Sequence, residues 1–471
     1  MALHPVQAAA GLVAAALLAL PAAHAALPGS ITAALERFGV PENAVSVVIR
    51  DESGQTVISH LPDTPRHPGS TVKLVTTYGV LAHLSPVHTF RTRMLTTAPI
   101  SGDGRLDGDL YLEGRGDPYL KTEDFWRLVR GVRARGILEI AGDLVIDATY
   151  YDLPAADPGD FDGQPYRLYN TLPYPLLVNF KAHRFTFRPR GQRVAIEADP
   201  ALPNLEIDNR LTAVAGGCNV YQAGISMRAL TTTRVRFAGR MPRGCRRYEL
   251  SRTFMPAPDY AYGVFAQLYS EMGGRLEGGV REAAVPDDAR TVIEIASAPL
   301  REIVVAVNKF SNNVMTRMLL LNLGAEMFGP PATTAKGIQA LAAVYRRLGI
   351  DTEDLVIENG SGLARGTRIS AGTMSEVLEA ARRSRWGAEF ISSMPLSGLD
   401  GTLKRRLTSS RTRGNAHLKT GRLDGVSALA GYVHTADAGT YTVVFFMNDP
   451  KAHRGVGNAV GDALVTWLHA R

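Results

Sequence analysis

PGSTVKLVTTYGVL (68–81) breaks the chain at Pro-Gly and then runs apolar-periodic, which predicts a helix over about Ser70–His83. On that helix Ser70 and Lys73 lie three positions apart, one turn apart on one face. A serine hydroxyl is a weak nucleophile near neutral pH and needs a base beside it. A lysine can serve where burial and a neighbouring cation disfavour its ammonium form. Free backbone N–H groups at the helix start could also receive an oxyanion beside Ser70. Alone, Ser-x-x-Lys reads equally well as an exposed pair at a helix start.

Two later motifs extend the pattern. In Ser311-Asn312-Asn313 the hydroxyl can pass a proton between Lys73 and a leaving amine, and Asn313 can hydrogen-bond Lys73 or a substrate amide. Ser-x-Asn is also an ordinary helix cap, and it falls between two expected helices. Lys419-Thr420-Gly421 sits on an expected strand, where a cation and a hydroxyl can hold a substrate carboxylate. Gly421 lets a substrate backbone approach closely. The N–H of Arg422 could complete an oxyanion hole with that of Ser70.

Outward from the motifs, 44–59 reads as a hairpin: VSVVIR, a turn at 51–54, then QTVIS. Strands are expected at 416–420, 427–434 and 440–448, and a last helix at about 454–469. Two early strands and three late ones predict one antiparallel five-stranded sheet, flanked by helices and built from both chain ends. Between them, 89–147 reads as short alternating strands and 153–175 as a loop. Residues 183–199 and 234–250 read as hairpins, with a helix at about 260–272 and a strand at 291–296. Helices are expected at about 300–309, 312–327, 333–348 and 370–384.

The chain has 471 residues, 45% hydrophobic and 21% charged, and Lys+Arg 52 against Asp+Glu 45 leaves +7. The length suggests roughly three domains. The basic residues are dispersed, which argues against nucleic-acid binding. Ala8–Leu20 is apolar but short for a bilayer, Pro21 breaks it, and Ala23-His24-Ala25 is a small-x-small site. Residues 1–25 are therefore expected to be a cleaved signal peptide, giving a periplasmic product with no transmembrane anchor. In an oxidising compartment Cys218 and Cys245 could pair, contributing roughly 3–4 kcal/mol in the chain-entropy model, or remain two buried thiols. The histidines show no HExxH spacing, so no metal is expected.

Ser-x-x-Lys, Ser-x-Asn and Lys-Thr-Gly in that order resemble the signature of the penicillin-recognising serine enzymes. The 241 positions from Ser70 to Ser311 require an insertion of roughly two hundred residues that a compact β-lactamase lacks. With GDLYLEGRGDPYL (108–120), ENGSGLARGTRIS (358–370), MPLSGLDGTLKRRL (394–407) and LKTGRLDGVSALAGYV (418–433), the chain resembles one branch. That branch is the low-molecular-mass class C penicillin-binding proteins, the D-alanyl-D-alanine carboxypeptidase/endopeptidase family.

The resemblance implies an α+β fold: a β-lactamase/transpeptidase-like catalytic domain with large β-rich inserted domains. The catalytic domain would take 26–90 and 298–471, one inserted domain 91–155 and 258–297, and another 156–257. It implies an acyl-enzyme on peptidoglycan stem peptides, inhibition by β-lactam antibiotics, and no cofactor. Ser70 would be the nucleophile and Lys73 its base, with Ser311 and Asn313 completing the relay. Lys419 and Thr420 would bind the terminal carboxylate. Arg422 departs from the small hydroxyl residue usual there, so its side chain could add a second cation or crowd the cleft. Asn312 replaces the usual Asp. A β-lactamase and a degenerate, non-catalytic peptidoglycan-binding protein are the competing readings.

Other residues read more plainly. Asp157, Asp160 and Asp162 with Tyr166 and Tyr169 could accept the ammonium of a stem-peptide diamino acid, though a solvated turn is the simpler reading. Gly360-Ser361-Gly362 reads as a tight turn near the cleft. Trp126, Trp386 and Trp467 read as core or interface, and His417 as a packing residue on the Lys419 face.

Overall fold

The computed structural model describes residues 26–218, 224–409 and 411–471; the expected signal segment lies outside them. Five strands form one sheet in the order Ala416–Leu423, Val426–His434, Thr440–Asn448, Val45–Arg50, Thr56–His60. Every neighbouring pair is antiparallel, and the two chain ends meet where Val47 pairs with Phe445. Side-chain alternation divides the sheet between two cores. Leu418, Leu429, Val443 and Phe445 face the terminal helices Gly29–Phe38 and Val456–His469, whose Ile31, Leu35, Val460 and Leu464 are buried there. Ala428, Ala430, Val444 and Phe446 face the central helices.

The Ser70 segment begins with a tight 3-10 turn, Gly69–Thr71, and continues as the helix Val72–Leu84. Ten consecutive residues of that helix, Val72 to Leu81, are buried. A helix apolar on every side belongs inside a fold, and this one packs against the helices Leu300–Phe310, Asn313–Phe328, Thr334–Arg347 and Ala371–Arg383.

The insertion carries two further large sheets. One runs Val280–Glu282, Leu144–Asp147, Leu110–Gly114, Arg91–Thr96, Arg290–Ala296, so its strands come from both sides of the other. The helix Thr122–Ala134 lies over it, burying Phe125, Leu128, Val129 and Val132. The sequence of this stretch reads as strands alone. The 3.6-residue period was present but short, and its flanking Gly-Asp turns matched a strand texture better.

The other sheet has six strands in the order Ile225–Ala229, Arg234–Pro242, Glu206–Val214, Arg193–Asp199, His183–Arg190, Tyr248–Arg252. The expected 183–199 hairpin forms; the expected 234–250 hairpin does not. Arg234–Pro242 pairs in parallel with Glu206–Val214, while Tyr248–Arg252 crosses to His183–Arg190. Alternation identifies a strand but not its partner, which here follows from burial of Phe185, Phe187 and Phe237 on one face. The parallel pair ends in register at Val214 and Pro242, so the residues just beyond converge and Cys218 bonds Cys245 across a Cα separation of 4.7 Å. Among the described residues no helix is long and apolar enough to cross a membrane.

Candidate active site

The sequence before Ser70 is shaped for close approach. Gly69 has φ +54°, and a Cβ there would lie 3.1 Å from the backbone of Gly421 and Arg422. A Cβ on Gly421 would meet the Pro68 carbonyl at 2.4 Å and the Ser70 nitrogen at 2.9 Å. Two glycines therefore let the nucleophile turn and the strand edge touch, setting the N–H of Ser70 beside that of Arg422. Gly421→Ala is expected to slow penicillin acylation about 10²-fold, since a 1 Å misplacement has that effect. A stopped-flow rate with a fluorescent penicillin checks it, and an unchanged rate would mean the contact is dispensable.

His67 braces the same turn. Its Nδ1 accepts from the Gly69 N–H at 2.9 Å, so Nε2 carries the proton donated to the Ala364 carbonyl at 2.7 Å. Its backbone is clamped in both directions by the Asn448 amide, at 2.8 and 3.1 Å. Burial pushes its pKa down, which keeps the neutral form this pairing needs.

Lys73 is fully buried and converges on three oxygens. Its Nζ lies 3.0 Å from Ser70 Oγ, donates to Asn313 Oδ1 at 2.7 Å and donates to the Ser361 carbonyl. Burial, aided by the Lys419 charge, drives its pKa well below the ordinary lysine value. A neutral amine has two N–H bonds and one lone pair. In that neutral form, with Asn313 and Ser361 taking the two N–H bonds, the lone pair faces the Ser70 hydroxyl. The Ser361 carbonyl is presented by the expected tight turn, pinned by Asn359 Oδ1, which accepts from the Ser361 N–H at 3.0 Å and its hydroxyl at 2.8 Å.

Ser311 closes the helix Leu300–Phe310 with φ +56°, rare for a residue with a side chain and costing of order 1–3 kcal/mol. The conformation is held from both sides. Lys419 Nζ donates to Ser311 Oγ at 2.8 Å, and Asn312 caps the next helix by accepting from the Met315 N–H. Both readings of Ser-x-Asn are realised in one segment: Asn312 is the cap, and Asn313 reaches Lys73. Asn313 Nδ2 also donates to the Tyr169 carbonyl at 3.0 Å, tying the inserted loop to the centre.

Lys419 is buried, and burial lowers its pKa to about 7. An arriving carboxylate would draw that proton back, so the cation is assembled as the anion binds. Thr420 Oγ1 donates to Thr402 Oγ1 at 2.9 Å. The Arg422 side chain is anchored at its tip. It bonds to the His453 carbonyl at 2.6 Å along the cleft wall, and its backbone N–H stays at the turn.

Ser70, Ser311, Asn313 and Arg422 line a cleft of about 600 Å³ together with Phe161, Asp162, Tyr169 and Arg365. The acidic loop thus divides. Asp157 makes only local turn contacts, to the Gly159 N–H and to Asp160. Asp162 reaches the cleft, held by the Tyr169 hydroxyl at 2.7 Å and Asn170 Nδ2 at 2.8 Å. Trp126, expected in a core or interface, is 44% exposed with the Arg130 guanidinium over its ring. His417 packs edge-on against His434. Sequence reasoning missed His67, Asn448 and the roles of the Ser361 and Tyr169 carbonyls; the Pro-Gly after His67 and the Gly360-Ser361-Gly362 turn were the available signals.

A hydroxyl beside a buried amine whose charged form burial disfavours, with paired N–H groups at its flank, can attack a carbonyl and hold the resulting oxyanion; such machinery belongs to a serine hydrolase. The chain matches the D-Ala-D-Ala carboxypeptidase 3 (S13) family over residues 28–471, and it belongs to that family of serine peptidases. It is 32% identical over 415 residues to a D-alanyl-D-alanine carboxypeptidase of an Actinomadura species, covering 83% of this chain and 76% of that one. The fold is similar to penicillin binding protein 4 of Haemophilus influenzae, with TM-score 0.80 and 22% identity over 94% of this chain and 99% of that one. It is also similar to a predatory endopeptidase of Bdellovibrio bacteriovorus solved acylated by penicillin G, with TM-score 0.53 and 16% identity over 90% and 91% of the two chains.

Proposed function

We propose that the chain cleaves peptidoglycan stem peptides through an acyl-enzyme on Ser70. It releases terminal D-Ala as a carboxypeptidase, cuts D-Ala–diamino acid cross-links as an endopeptidase, or does both. Lys73 carries this reading: a buried amine held by Asn313 and the Ser361 carbonyl, 3.0 Å from Ser70 Oγ, whose charged form burial disfavours. Lys73 takes the Ser70 proton as Oγ attacks the D-Ala carbonyl, and the oxyanion faces the N–H groups of Ser70 and Arg422. The proton passes by way of the Ser311 hydroxyl to the leaving amine as the C–N bond breaks. Water then attacks the ester, with the same groups acting in reverse. Lys419 and Thr420 hold the carboxylate of the departing residue, with Gly421 keeping the strand edge flush.

Asp162 and Arg365 in the same cleft suit the ammonium and carboxylate at the side-chain end of a stem-peptide diamino acid. In this reading β-lactams acylate Ser70 as substrate mimics. Export to the periplasm rests on the signal pattern in residues 1–25. The nested division, with 91–155 and 258–297 around 156–257, is our reading of the sheet order.

The test is an intact mass of the mature protein after incubation with benzylpenicillin, with Ser70→Ala alongside. A long-lived adduct on the wild type alone, with D-Ala release from a stem pentapeptide, is the expected result. Rapid drug turnover would indicate a β-lactamase. No mass gain with intact drug would remove the catalytic reading.

A further inference from the structure

A second pocket, of about 140 Å³, is one that the proposed chemistry does not use. Its walls are mostly apolar, formed by Leu153, Pro154, Leu172, Pro173, Leu320 and Leu321. One charged group lines it, Arg317. Arg317 sits on the helix Asn313–Phe328, one turn beyond Asn313 and on the same side. Among the described residues no carboxylate, carbonyl or hydroxyl accepts a hydrogen bond from its guanidinium. Burial lowers its pKa to about 10, which leaves it protonated at neutral pH. A half-buried cation without a partner is costly, and cations in such settings pair with an anion.

We propose that this pocket binds a small organic carboxylate with an apolar body, its carboxylate paired to Arg317 and its body against the leucines. A planar guanidinium matches a carboxylate with two parallel hydrogen bonds. Among the described residues no second cation lines the pocket, which favours a single negative charge. An apolar cavity of roughly 150 Å³ takes a body the size of benzene, so the ligand is a small one. The Thr334 hydroxyl and the Asn359 side chain are the remaining polar groups of the lining. Asn359 also pins the Ser361 turn, so an occupant would touch an element that supports Lys73.

The same chemistry is offered by a medium-chain alkyl carboxylate and by an acylated apolar amino acid, so both are probes. Octanoate and N-acetyl-leucine are titrated into the mature full chain by calorimetry, with acetate and 1-octanol as charge-only and body-only controls. At least one of the two probes is expected to bind at least about tenfold more tightly than either control, and which one binds better indicates the source of the ligand. Arg317→Met is expected to weaken that probe about tenfold or more while leaving the unliganded melting temperature unchanged or raised, and Arg317→Lys to retain most of the affinity. The wild type is decisive even if the methionine variant fails to fold. Failure of both carboxylates, or binding of 1-octanol equal to that of octanoate, overturns the proposal, as does binding unchanged in Arg317→Met. None of these readouts depends on Ser70, so the site can fail or stand apart from the peptidase reading.

Discussion

Replacing Lys73 by methionine is expected to lower the rate of Ser70 acylation by penicillin about 10²–10⁴-fold, the usual contribution of a positioned base. Methionine is close to lysine in length and apolar, so it suits the buried site and the packing should survive. The loss falls on chemistry because Asn313 Oδ1, the Ser361 carbonyl and Ser70 Oγ keep their places but lose the shared nitrogen. The pH profile supplies the second readout. A lysine whose folded pKa is lowered acts as a base only above that value, so wild-type acylation falls as acid protonates Lys73. Lys419, with its pKa near 7, adds charge in the same direction as pH drops. The methionine variant should lose the Lys73 part of that acid limb. A variant that is slow but keeps the whole limb would locate the base elsewhere.

The central sheet was readable because its strands are mostly apolar runs bounded by turns, and because two came early and three late. The insertion was less legible. Residues 234–250 alternate as a hairpin does, yet the two strands in them pair with different neighbours. Nothing local distinguishes a hairpin from two strands crossing a sheet when the deciding contact is Phe237 against Phe185 and Phe187. The helix Thr122–Ala134 shows the opposite failure, a correct period hidden within a stretch read as strands.

The site divides in the same way. Ser70, Lys73, Ser311, Asn313, Lys419 and Thr420 were legible because nucleophile, base, relay and carboxylate holder need particular side chains. The groups that orient them are backbone atoms or ordinary residues. The Ser361 carbonyl takes one N–H of Lys73, and any residue could supply it. His67 matters through a ring nitrogen accepting from Gly69, a role no spacing reveals. Arg422 had an ambiguous side chain, and its orientation toward His453 is set by the close of the sheet, far along the chain.

Asp117→Asn is expected to stabilise the protein at pH 8 by roughly 2–4 kcal/mol and to change it far less at pH 4.5. Asp117 is 3% exposed and accepts one hydrogen bond, from the Tyr119 N–H at 2.8 Å; among the described residues no cation pairs with it. Burial raises its pKa to about 7. In the unfolded chain an aspartate titrates near 3.9. Between about pH 4 and 7 the native state therefore holds a proton that the unfolded state has released. Stability falls as pH rises through that window and levels off above it; three pH units at about 1.4 kcal/mol each set the upper bound near 4 kcal/mol. Asparagine keeps the oxygen that Tyr119 N–H needs and never carries the charge. Urea unfolding of both proteins across pH 4.5–8 measures the difference directly. A gain independent of pH would mean that Asp117 is not the titrating group, and a loss at pH 8 would mean that its charge has a counter-charge within the fold.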